Sequence, residues 1–157
     1  MKKFRPKIPI QGKDIPYMVF NSLDQAYEVM SCWMNKLGLQ DWIIRLDIKP
    51  AHKMSDPGRV GEISCYYTER CAMLTLREYD PEDYETIDKF CHEAVLVHEL
   101  LHAKMPTAGK DTGETYELGF LNSYNHQLLN DMANALIMVK YNLSKEWFKN
   151  FEERSNE

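Results

Sequence analysis

The residues best suited to chemistry stand within six positions, Val97-His98-Glu99-Leu100-Leu101-His102, an H-E-x-x-H arrangement. Four residues along an α-helix turn the chain by about 400°, so the two imidazoles lie about 40° apart on one face, one turn above the other. That geometry offers two nitrogens to one cation, with zinc the natural guest at ~2.0–2.1 Å from each. Glu99 is offset by about 100° and cannot serve as a third ligand from the same face. It can instead take a proton from water activated at the metal. The flanking residues Ala94, Val95, Leu96, Val97, Leu100 and Leu101 make the helix apolar nearly all round, which predicts burial. Two histidines and a glutamate in such a helix must find partners or cost about 1–3 kcal/mol each. A shared cation and its water would satisfy all three. His98 and His102 are therefore expected metal ligands, and Glu99 the expected general base.

A catalytic zinc takes three protein ligands and keeps one position open. The extension that adds a third histidine shortly after the motif is absent, because Met105 and Ala108 occupy the required places. The third ligand is expected from a downstream helix, where Glu114, Glu117, His126 and Asp131 are the candidates. His92 precedes a glutamate but has Leu96 four residues on, and it falls on a different face from His98; it is expected on a helix flank. His52 lies in the Pro50–Pro57 loop with no partner at ligand spacing. The four cysteines, at 32, 65, 71 and 91, form no Cys-x-x-Cys pair, so a zinc knuckle or dithiol redox site has no support and reduced thiols are expected.

Several elements must hold these residues in place. Residues 1–18, with Pro6, Pro9 and Pro16, read as an extended arm. Ser22 with Gln25 three residues on signals a helix start; Ala26, Tyr27, Met30, Trp33, Met34 and Leu37 continue it, and Gly38 ends it. Trp42, Ile44, Leu46 and Ile48 alternate with Ile43, Arg45 and Asp47, as a half-buried strand does before Pro50. Val60–Thr68 and Cys71–Arg77 are expected to pair as a hairpin around Glu69-Arg70. Asp80 or Asp83 is a candidate cap for a long buried helix from Tyr84 to Lys104, followed by a loop over 105–113. A last long helix is expected to bury Leu128, Leu129, Met132, Ala133, Leu136 and Val139. The tail, 144–157, is expected to add a short amphipathic helix through Trp147, Phe148 and Phe151. This order predicts an α+β fold in one domain spanning 1–157.

Composition sets the outer limits. The 157 residues carry 19 Lys+Arg against 24 Asp+Glu, a net charge of −5, which argues against a broad nucleic-acid-binding face. With 44% hydrophobic and 27% charged residues the chain is an ordinary globular one. The longest apolar runs are five residues, such as Ala135–Val139, so no membrane span is expected. The basic start, Met1 to Lys7, is followed by Ile8-Pro-Ile-Gln-Gly12 instead of an apolar signal core, so a cytoplasmic setting is expected. Nothing in the residues specifies an oligomeric state.

His98-Glu-Leu-Leu-His102, a loop and a later ligand-bearing helix together resemble the gluzincin-type zinc metallopeptidases, above all their small single-domain, phage-type members. The downstream helix of those relatives resembles Glu-Gln-x-x-Asn-x-x-Ala-x-Ala-Leu. Here the stretch reads His126-Gln-Leu-Leu-Asn130-Asp-Met-Ala133-Asn-Ala135-Leu136, matching at Gln127, Asn130, Ala133, Ala135 and Leu136, with His126 in the glutamate's place. The resemblance implies His126 as third zinc ligand and Asn130 or Asp131 as supports for His98 or His102; Glu117, on a helix face shared with Leu121, Tyr124 and Leu128, is the main rival to His126. It implies a zincin-like fold, with a small, mostly antiparallel sheet packed on the buried helix. It further implies a peptide or protein substrate bound as an extended strand along a sheet edge, expected at Cys71–Arg77. Tyr116 and Tyr124 are candidate oxyanion donors among the nine tyrosines. Two other readings share the motif: a non-peptidase zinc hydrolase, and a regulatory or binding module with a structural zinc.

Overall fold

The computed structural model describes residues 15–80, 82, 91–105 and 116–144, with side chains of the last stretch from His126 onward. The expected arm before Ile15, the helical stretch over 83–90, the loop over 106–113 and the tail helix beyond Ser144 lie outside the described residues. The elements are α1 (Leu23–Leu37), β1 (Ile43–Lys49), a 3₁₀ turn (Ala51–Lys53), β2 (Gly61–Tyr66), β3 (Cys71–Arg77), α2 (His92–Lys104) and α3 (Tyr116–Tyr141). The fold is α+β. Among the described residues no helix is long and apolar enough to cross a membrane.

Helix α1 starts and stops where its sequence says it should. The Ser22 hydroxyl accepts the Gln25 N–H at 3.1 Å, and the Gln25 side chain accepts the Asn21 N–H at 2.8 Å. Gly38 ends it in the left-handed region, φ 69°, where a side chain would be strained. Ala26, Val29, Met30 and Trp33 form its buried face.

The sheet order is β1-β3-β2, with β1 parallel and β2 antiparallel to β3. The sheet is thus mixed, and the strand expected at its edge, Cys71–Arg77, is its centre. The chain leaves β1, lays β2 on the far side, and returns through the hairpin into the gap. Period-two alternation reports which side chains face a core, not which strands flank them. The signal for a central strand was the nearly continuous run Ala72-Met-Leu-Thr-Leu76, whose Leu74 and Leu76 are fully buried. Ile44 and Leu46 of β1 join them on the helix-covered face. The register sets Cys65 opposite Ala72 and Cys71 opposite Tyr66, so the two thiols point to opposite faces, and all four cysteines are free.

Helix α2 is buried on almost every side, from His92 to Ala103, among α1, the sheet and α3. It begins at His92, after Cys91, which is extended (φ −139°) and offers no side-chain cap. Backbone from the N-terminal segment caps it instead: the His92 and Glu93 N–H groups each reach a carbonyl, of Met18 and Tyr17, at 3.0 Å. His92, expected on a flank, is buried. Its Nδ1 accepts the Phe20 N–H at 2.9 Å, so its Nε2 carries the proton and donates to the Arg77 carbonyl at 2.8 Å. Burial holds this ring below the usual histidine pKa, in the neutral form its two bonds require.

The next residue, Glu93, is fully buried and fully engaged. Its carboxylate accepts the Trp33 indole N–H at 2.8 Å, the Tyr17 N–H at 2.9 Å, the Tyr141 hydroxyl at 2.7 Å and the Lys140 ammonium at 2.6 Å. The ammonium also lies 5.0 Å from the Trp33 ring centre. Lys140 sits on the face of α3 that carries Leu129, Ala133 and Ile137 into the core, whereas Leu128 and Val139, expected inside, are exposed. The ammonium of this lysine reaches back under the helix to a buried anion.

Removing one member of a buried, hydrogen-bonded ion pair typically costs about 3–5 kcal/mol. Lys140→Met is therefore expected to lower unfolding stability by about 3 kcal/mol in a urea titration. Adding Glu93→Leu should recover part of that loss. A Lys140→Met shift under about 0.5 kcal/mol would show that the pair does not hold α3 in place.

Candidate metal centre

Three histidines from two helices converge. His98 and His102 project from one side of α2, four residues apart, and His126 faces them from α3. Their ring centroids stand 5.0, 4.8 and 5.1 Å apart, nearly an equilateral triangle. One ligand nitrogen from each ring lies within 4.8 Å of the others. His98 and His102 are buried, and His126 is exposed, on the solvent side of the cluster.

The closest approach is the most informative. The Nε2 atoms of His98 and His102 are 3.2 Å apart. Two nitrogens bound to one tetrahedral zinc at ~2.05 Å stand ~3.3 Å apart, so the buried pair already has the separation such an ion needs. Three neutral imidazoles are a donor set suited to zinc, and the structure places them close enough to bind a metal ion. Among the described residues no fourth His, Cys, Asp or Glu joins them.

Electrostatics favours the unprotonated rings that metal binding requires. Burial, and then the neighbouring His102 and His126, hold His98 at about 4; the Asn130 side chain acts in the opposite direction. Burial and the charge of Arg59 lower His126 as well. Nδ1 of His98 is buried without a hydrogen-bond partner among the described residues.

Glu99, beside this cluster in sequence, is buried under the start of β2. A Cβ at Gly61 would lie 3.0 Å from Glu99 Oε1 and 2.5 Å from Val95 Cγ1, so only glycine lets the strand come this near. Burial raises the Glu99 carboxyl to about 8, with Arg59 pulling it down and Glu62 pushing it up. The end of α2 is pinned from the hairpin, where the Tyr67 hydroxyl donates to the His102 carbonyl at 2.9 Å. Burial lifts that phenol to about 12, which keeps it a donor.

His98, His102 and His126 are thus brought together as expected, and Asn130 lies beside His98. Asp131 is not in the cluster: it is exposed and accepts the Gln127 amide at 3.2 Å. Glu114 and the side chains of Glu117, Tyr116 and Tyr124 lie outside the described residues. The sequence reading missed Arg59, Gly61, Glu62 and Tyr67. A lone glycine opening a strand was the one available signal; the other three become neighbours only through the β2–α2 contact.

In the metal-free chain, His98 is expected to stay neutral until the pH falls to about 4, which its ring resonances in an NMR titration would report. Unfolded, the same ring takes its proton near 6.5. Its folded value is lowered, so its contribution to stability is complete above about 6.5 and is lost as the pH falls towards 4. A ring titrating near 6.5 would mean that it is not buried as described. Comparison of the chain with protein-family models, with curated proteins and with solved structures finds no match to any of them.

Proposed function

We propose that this chain is a zinc-dependent peptidase of zincin-like fold, in which His98, His102 and His126 hold the metal and Glu99 is the general base. The observation that carries the reading is the convergence of the three rings, with the buried pair at 3.2 Å, beside a buried carboxylate that belongs to neither ring. The resemblance of H-E-x-x-H and of the His126–Leu136 stretch to gluzincin-type enzymes points the same way. A purely structural site needs no buried glutamate between its ligands, and burying one unpaired is costly.

Zinc at this site would supply a Lewis acid, lowering the pKa of water towards 7 and polarising a carbonyl. The rest falls to the chain's own groups. In its ionised form, which a neighbouring cation favours, Glu99 accepts the proton of the attacking water and returns it to the leaving amine. Packing against Gly61 and Val95 limits the positions open to its side chain. Tyr67 steadies the backbone that carries His102.

A peptide substrate would add along β2, not β3. β2 pairs only with β3 among the described residues, so its outer edge has backbone donors and acceptors available, and this edge adjoins Glu99. The cytoplasmic setting read from the sequence belongs to the same proposal.

The test combines metal content with turnover. Glu99→Gln should keep stoichiometric zinc and lose peptide hydrolysis by about 10²–10⁴-fold. His126→Ala should lose zinc by equilibrium dialysis, and Glu117→Ala should retain it. Zinc bound with no Glu99-dependent hydrolysis would favour a structural site. Cleavage of esters alone would favour a non-peptidase hydrolase.

A further inference from the structure

His102 stands in the last turn of α2, which ends at Lys104, whereas His98 lies at the middle of the helix. The two ligands are therefore held differently. Inside a helix each carbonyl accepts the N–H four residues on, and the final carbonyls lose that partner. The Leu101 carbonyl still has one, the Met105 N–H at 2.9 Å. For the His102 carbonyl the helical donor would be residue 106, a proline, which has no N–H to give. The hairpin supplies the donor instead: the Tyr67 hydroxyl donates to that carbonyl at 2.9 Å.

Tyr67 is itself firmly placed. It opens the turn that joins β2 to β3, and the Arg70 N–H closes that turn on the Tyr67 carbonyl at 3.4 Å. The turn is bolted to the entry of β1 through Asp41, Trp42 and Ile43. Asp41 pairs with the Arg70 guanidinium, and the Trp42 ring meets the Tyr67 ring edge to face, with centroids 5.7 Å apart. The Ile43 N–H donates to the Arg70 carbonyl at 2.9 Å. The ion pair is exposed and contributes little alone. The backbone bond and the ring contact tie the phenol to the sheet, so its hydroxyl reaches α2 from a fixed point outside the helix.

We infer that Tyr67 is a positioning residue for the metal. By standing in for the missing N–H, its hydroxyl holds the last turn of α2 so that the His102 ring meets the cation that His98 and His126 share. This rests on the metal-site reading proposed above. Helix ends fray, whereas zinc–ligand distances are set to within about 0.2 Å, so a ligand in a last turn needs an anchor that one in mid-helix does not.

The test reads metal affinity in the full chain, not turnover. Tyr67→Phe keeps the ring against Trp42 and removes only the hydroxyl. Competition with a chromophoric chelator should show zinc held roughly three- to ten-fold more weakly, the equivalent of one lost hydrogen bond. With cobalt(II) as a second probe, the visible bands that report ligand geometry should change as well. Ser22→Ala is the control. It removes the hydroxyl-to-backbone bond that caps α1, a loss of similar size, and should leave zinc affinity and cobalt bands as in wild type. A Tyr67→Phe chain that binds zinc within about twofold of wild type overturns the role of Tyr67 and leaves the metal site standing. An equal loss of affinity in Ser22→Ala overturns it too, because the effect would then be one of stability alone. A wild-type chain that binds neither ion overturns the metal site, and the role of Tyr67 with it.

Discussion

A single buried carboxylate organises this molecule. Glu93 lies on the first turn of α2, and its four donors come from the N-terminal segment, from α1 and from the far end of α3. A charge with no access to water is tolerable only when every oxygen is satisfied. The four donors therefore cannot drift independently. Lys140 and Tyr141 fix one end of α3 against the start of α2, and further along the two helices, now running antiparallel, His126 meets His98 and His102. The histidine cluster and the ion pair are two pins through the same pair of helices.

His92 adds a second tie at the same turn. By donating to Arg77 of β3 and accepting from Phe20, it binds α2 to the sheet and to the segment leading into α1. Arg77 in turn holds the loop that leads into β2. The polar residues inside this protein thus form a connected scaffold around an apolar core, and the site is built at one end of it.

Much of this was legible from spacing alone. Helix α1, its cap and its terminating glycine, the alternation of β1, the β2–β3 hairpin and the buried helix with His98, Glu99 and His102 all follow from local chemistry, which short-range patterns record. The same patterns were silent on what depends on partners. Central against edge placement of β3, the parallel pairing with β1, the burial of His92 and Glu93 and the inward reach of Lys140 are set by residues tens of positions away. A histidine or glutamate in sequence has the same identity whether it meets water or four donors; only the fold decides which.

The contact at Gly61 has a further implication for how this chain can vary. Val95 Cγ1 and the Glu99 side chain occupy the volume a methyl group on residue 61 would need. Positions 61 and 95 therefore divide one small parcel of space. Any sequence that enlarges the strand residue must trim the helix residue in compensation or let the sheet edge slide away from the carboxylate. Divergent versions of this fold should accordingly change these two sites together, as a correlated pair, or leave both alone.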